Sequence, residues 1–111
     1  MIVEDEIDHL ELFSAIIENE GMTVDSYSDP HTALSNFKAG CYDLIIMDYL
    51  LPNFNGVQLY NKLKSIDNSV RVIILTASQE RIETSELEHL QVLRKPILPS
   101  TFIEQMRKIL N

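Results

Sequence analysis

At 111 residues with an apolar share of 45%, the chain has the size and composition of one ordinary globular domain. A formal net charge of −8 argues against direct binding to nucleic-acid phosphates or anionic lipid surfaces, both of which select clustered Lys and Arg. The single cysteine, Cys41, excludes an internal disulfide, and no stretch has the length of a membrane span or the layout of a signal peptide, so a cytoplasmic setting is expected.

Taken in chain order, Ile2-Val3 reads as a short buried strand that runs into Glu4-Asp5-Glu6. Leu10, Phe13 and Ile17 then share one helical stripe, and Gly21 stands where that helix should stop. Residues 22–27 mix Thr, Val, Asp and Ser and suggest an exposed edge strand. Ser28-Asp29-Pro30 supplies capping side chains and a Pro suited to a first helical turn; Ala33, Leu34 and Phe37 give that helix its apolar side, and Gly40 should close it. Cys41 reads as a small apolar residue leading into the next strand rather than as a redox thiol.

Leu44-Ile45-Ile46-Met47 is a buried strand ending at Asp48, followed by a helix with Leu59, Leu63 and Ile66 on one side. Residues 70–75, apolar except for Arg71, form a fourth strand that ends at Thr76. Between 79 and 90, Ile82, Leu87 and Leu90 spread around a helical wheel, which predicts a short or irregular helix. Val92-Leu93 marks the fifth strand, followed by Lys95-Pro96, and Phe102, Met106 and Ile109 line a final helix. Pro96 should hold the chain extended after Lys95. There is no internal repeat, low-complexity tract or linker, so one domain is expected over 1–111, with no output module after Asn111.

Near-continuous β-branched and aliphatic runs suit a parallel sheet covered on both faces. Their alternation with helices, five times over, predicts a doubly wound five-stranded α/β sandwich with right-handed crossovers, and the flavodoxin-like order 2-1-3-4-5 is the natural candidate.

In such a sheet every strand's carboxyl end lies on one edge, where ligands bind. Glu4, Asp5, Asp48, Thr76 and Lys95 all follow apolar runs and should converge there. Three carboxylates in one cleft must either take up protons or hold a cation. An oxygen-only set suits a hard ion, and Mg²⁺ fits better than Ca²⁺, for which the chain offers no EF-hand loop. Alone, Glu4 and Asp5 would read equally well as a solvated acidic turn before a helix. Asp48 is harder to read as a helix cap, because Pro52 and Gly56 intervene before the next helix. A carboxylate can attack phosphorus and form an aspartyl phosphate. Lys95 would bring a point charge and Thr76 a hydroxyl donor to the transferred group. His9, His31 and His89 read as surface histidines, none following a buried strand. Tyr49 reads as a packed loop aromatic, with gating of the site as the other reading.

Ile2-Val3-Glu4-Asp5-Glu6, then Tyr42-Asp43-Leu44-Ile45-Ile46-Met47-Asp48 with its loop to Gly56, Leu75-Thr76-Ala77 and Arg94-Lys95-Pro96-Ile97 together resemble the response-regulator receiver family of two-component systems, whose fold is CheY-like. The resemblance implies that Asp48 is the phosphoacceptor and that Asp5 and Asp48 bind Mg²⁺, with Glu4 acting directly or through water. It also implies a metal contact from the Leu50 carbonyl, and phosphoryl contacts from Thr76, Lys95 and the Ala77 amide. The implied partners are a histidine kinase or histidine phosphotransfer protein and a downstream output domain or effector. Two departures touch the signalling surface: Val92 stands where the family usually places an aromatic switch residue, and the stretch from Thr76 to Lys95 is a few residues short.

A phosphatase of the haloacid dehalogenase type would need a second Asp at Leu50. A pseudo-receiver would bind partners without phosphorylation. Rossmann and P-loop readings lack a glycine-rich phosphate loop.

Overall fold

The computed structural model describes residues 1–83 and 87–111. Its strands are β1 (Ile2–Val3), β2 (Ser26–Tyr27), β3 (Ile45–Asp48), β4 (Val72–Thr76) and β5 (Leu90–Arg94). Its helices among the described residues are α1 (Ile7–Asn19), α2 (Pro30–Asn36), α3 (Gly56–Ile66) and α4 (Pro99–Leu110). All strand pairings are parallel, in the order β2-β1-β3-β4-β5. The expected doubly wound sheet is therefore the observed one.

Alternation along the strands sorts the core into two layers. Val3, Ile45, Met47, Val72 and Ile74 face Ala33, Phe37, Leu59, Tyr60 and Leu63 of the α2–α3 side. Ile2, Ile46, Ile73 and Leu75 face Phe13, Ile17, Phe102 and Met106 of α1 and α4. Because both faces are covered, the central strands β3 and β4 carry apolar residues at every position before their last, which is why they read as unbroken runs.

Local signals behave as the chemistry demands. Asp29 accepts from the backbone N–H groups of His31 and Thr32, with Pro30 as the first residue of α2. Asn55 and Gln58 form a reciprocal capping box on α3. Gly21 follows α1 with φ +84°, as its position predicts.

Several expectations are corrected. The edge strand is only Ser26–Tyr27 rather than the whole of 22–27. Helix α2 stops at Asn36, capped by extended Phe37; Gly40, at φ +77°, belongs to the following turn and donates its N–H to Asp67. Ile66 is 48% exposed, and Tyr60 takes the buried place in the α3 stripe. Cys41 is exposed in that same turn, four residues before β3 begins at Ile45. The expected helix over 79–90 is absent from 79–83 and 87–89, while its middle lies outside the described residues. Its apolar side chains still pack: Ile82 and Leu87 lie against the α2–α3 layer without a helical face to align them.

Candidate functional site

The register brings the predicted residues together. β1 ends immediately before Glu4, β3 at Asp48, β4 at Thr76, and β5 immediately before Lys95. Asp48 pairs with Leu75 and Thr76 with Arg94, so these ends form one edge of the sheet. Lys95 is tied there by its backbone N–H, which donates to the Thr76 carbonyl at 2.8 Å. The Lys95-Pro96 peptide bond is cis.

Lys95 is the hub of the site. Its ammonium donates to Glu4 Oε1 at 2.7 Å and to Asp48 Oδ2 at 3.3 Å. Burial disfavours the charged lysine, but the Glu4 and Asp48 carboxylates outweigh it and hold the ammonium above its ordinary pKa. Glu4 is itself buried, and burial pushes its carboxyl upward; Asp48 adds to that rise and Lys95 opposes it.

The acidic cluster has room for a hard cation. Glu4, Asp5 and Asp48 each present a carboxylate oxygen within 4.8 Å of the others. Glu4 Oε2 is buried without a hydrogen-bond donor, which leaves one acceptor atom of the cluster unpaired. Donor type, spacing and this unpaired oxygen all fit Mg²⁺. Asp5 is exposed, so water can complete the ligand set around it.

The remaining predicted residues surround this group. The Leu50 N–H donates to Asp48 Oδ1 at 3.2 Å, orienting the carboxylate, while the Leu50 side chain is 57% exposed. Thr76 is fully buried, and its Oγ1 accepts from Ser78 N–H at 3.0 Å, leaving the hydroxyl hydrogen free to point elsewhere. Ala77, the next residue, is exposed at the rim. Tyr49 is buried and packs in the α2–α3 layer; burial first, and then Glu80, push its phenol above its ordinary pKa. Gly56 is needed close by, since a Cβ there would lie 2.9 Å from the Asp48 carbonyl oxygen.

His9 corrects the sequence reading. Rather than standing free on the surface, it lies in the first turn of α1 with Nδ1 3.2 Å from Glu4 Oε1 and 3.1 Å from Lys95 Nζ. Its position five residues after Glu4 was the available signal, because a helix starting directly after the acidic turn leans its first turn over the strand ends. His31 instead packs edge-on against Phe54, and His89 is exposed at φ 59°. A cleft of about 590 Å³ opens at the opposite edge of the sheet, between Ile17, Asp25, Tyr42 and Met106, and includes none of the acidic cluster.

The family model described as the response regulator receiver domain matches residues 1–107. The chain is 30% identical over 114 residues to the transcriptional regulatory protein CpxR homolog of Haemophilus influenzae, covering 100% of this chain and 49% of that protein. It is 31% identical over 113 residues to the transcriptional regulatory protein CssR of Bacillus subtilis, covering 99% and 50%. The chain thus spans about half the length of these relatives. The response regulator protein TrrA of Thermotoga maritima, solved in complex with Mg(2+)-BeF, has the same fold at a TM-score of 0.86 and 24% identity, with 97% of this chain and 95% of that one covered. No described helix is long and apolar enough to cross a membrane.

Proposed function

Because the chain belongs to the response regulator receiver domain family, we propose that Asp48 takes a phosphoryl group from a phosphohistidine on a histidine kinase or histidine phosphotransfer protein. A receiver domain is a module of two-component signalling rather than an enzyme with an external turnover, and the self-assisted transfer is the finer reading advanced here. The observation that carries it is the Lys95 ammonium, 3.3 Å from Asp48 Oδ2 at the edge where three carboxylates converge.

In the transfer, an Asp48 carboxylate oxygen attacks phosphorus as the phosphorus–nitrogen bond of the donor breaks and its imidazole leaves. Such a reaction asks chiefly for position and charge neutralisation. Leu50 N–H fixes the orientation of the Asp48 carboxylate. Lys95 is already at the site to meet the incoming phosphoryl oxygens, Thr76 has a hydroxyl hydrogen to donate, and the exposed Ala77 supplies an amide. Glu4, Asp5, Asp48 and the Leu50 carbonyl would hold Mg²⁺, which when bound offsets negative charge between Asp48 and the phosphoryl group. That TrrA, which shares the fold, was solved in complex with Mg(2+)-BeF supports Mg²⁺ as the cation.

The added charge draws Thr76 and Lys95 inward and changes the adjoining surface, which a downstream output domain or effector reads. With a net charge of −8, the chain signals through proteins rather than by contacting nucleic acid or membrane, in a cytoplasmic setting. Leu50 in place of a second Asp removes the acid that the phosphatase reading needs.

Intact mass spectrometry after incubation with acetyl phosphate tests the proposal. One added phosphoryl group is expected, dependent on Mg²⁺ and absent from Asp48→Asn. Labelling that persists in the variant or in chelator would reject Asp48 as the acceptor.

A further inference from the structure

An ammonium carries three N–H donors, and the acceptors around Lys95 number three: Glu4 Oε1 at 2.7 Å, His9 Nδ1 at 3.1 Å and Asp48 Oδ2 at 3.3 Å. Two of these are carboxylate oxygens from residues that a divalent cation would also engage. The third is an imidazole nitrogen that has no part in the acidic cluster. His9 and Phe13 stand one turn apart on α1, and the Lys95 ammonium meets both, lying 5.9 Å from the Phe13 ring centroid. The same helix face therefore touches Lys95 through groups that carry no negative charge.

We infer that His9 is a positioning residue for Lys95, keeping the ammonium at the rim of the site when a cation engages the Glu4 and Asp48 carboxylates. This rests on reading Asp48 as the phosphoacceptor. Without a cation, Lys95 has two carboxylates and loses little if His9 is removed. With a cation bound, the Glu4 and Asp48 carboxylates also face the metal, which weakens their hold on Lys95, and the His9 nitrogen is the acceptor whose strength the metal does not reduce. The contact thus favours the cation-bound arrangement over the cation-free one and holds Lys95 within reach of the incoming phosphoryl group.

The role requires the ring proton on Nε2, so that the Nδ1 lone pair faces Lys95. Nδ1 also lies 3.2 Å from both Glu4 Oε1 and Glu6 Oε2. A proton on Nδ1 would instead donate to those carboxylates, turn Lys95 away and compete with the cation for Glu4. The two arrangements predict opposite effects of removing the ring.

Mg²⁺ titrations followed by amide NMR shifts distinguish them, using the whole chain and its His9→Ala, His9→Asn and Lys95→Met variants, together with His9→Ala/Lys95→Met. His9→Ala is expected to weaken Mg²⁺ binding about three-fold. His9→Asn, whose amide oxygen can accept from Lys95, should recover most of the loss. In the Lys95→Met background, His9→Ala should have no effect. Unchanged or tighter Mg²⁺ binding in His9→Ala would overturn the inference, as would equal weakening in the Lys95→Met background. Failure of Asp48 labelling in the unaltered chain would remove the phosphoacceptor reading while leaving the titrations to report on His9 and Lys95 directly.

Discussion

Arg94 is clamped to Ser78: its Nη1 donates to the Ser78 carbonyl at 2.8 Å and reaches the Glu80 carbonyl at 3.2 Å. Ser78 N–H in turn donates to Thr76 Oγ1, so the segment after β4 is linked both to the hydroxyl expected to meet the phosphoryl group and to the end of β5, next to Lys95. Val92 is short, β-branched and restricted at χ1, and so lacks the reach of an aromatic side chain that swings between two packing states. Activation is therefore expected to move residues 78–83, which form no helix. Backbone NMR with and without beryllofluoride should show the largest shifts there. Changes confined to β5 and α4 would contradict this. Arg94→Ala should speed hydrogen exchange across 78–83, at a stability loss of about 1 kcal/mol.

Removing the charge of Lys95 should destabilise the metal-free protein in a pH-dependent way. Glu4 is buried with its carboxyl pKa raised, so the protonated form is the one that folding favours. The stability associated with that proton is fully present below the ordinary carboxyl value of 4.5 and is lost as pH rises through the folded-state value. Lys95 limits the loss by pairing with the ionised carboxylate. Lys95→Met is expected to lower stability at neutral pH by about 1–3 kcal/mol, with a gap to the unaltered protein that narrows as the pH falls below the Glu4 transition. Urea melts in chelator across that range would measure it; a gap constant with pH would show that Lys95 acts through packing alone.

Asp5→Asn should weaken Mg²⁺ binding and raise stability in metal-free buffer. Because Asp5 is exposed, solvent screens its repulsion from Glu4 and Asp48, and the gain should be about 0.5 kcal/mol. Thermal melts in chelator and in Mg²⁺ would then change order, with the variant higher in the first and lower in the second. A lower melting temperature in chelator would mark Asp5 as a structural residue.

Gly56→Ala places a methyl group 2.9 Å from the Asp48 carbonyl oxygen and 3.1 Å from Tyr49 Cα, contacts that only backbone movement can relieve. A loss of about 1–3 kcal/mol is expected from the overpacking. Slower acetyl phosphate labelling should accompany it, because the displaced backbone carries Asp48. Unaltered stability would mean that α3 shifts without strain.

The start of α3 offers a control remote from the acidic cluster. Asn55→Ala removes the acceptor for Gln58 N–H and breaks the capping box, at a cost of about 1 kcal/mol in urea melts. Mg²⁺ affinity should stay unchanged. A changed affinity would show that the α3 cap and the loop holding Leu50 are coupled.

What the sequence determined by itself was whatever depends on residues adjacent along the chain. Unbroken apolar runs such as Leu44-Ile45-Ile46-Met47 announce a sheet covered on both faces, and polar residues directly after those runs announce the edge where Glu4, Asp48, Thr76 and Lys95 meet. Asp29-Pro30 marked a helix start because capping is a local hydrogen-bond matter. Tertiary structure alone decided what depends on which distant groups approach one another. Periodicity permits Ile66 in the α3 stripe, but packing left it exposed and buried Tyr60. Ile82 and Leu87 found the core without a helix, because burial rewards apolar area whatever the backbone path. His9 stands close enough to Glu4 along the chain to hint at the site, but its ring nitrogen reaches an ammonium 86 positions away, a proximity created by the parallel register of the strands.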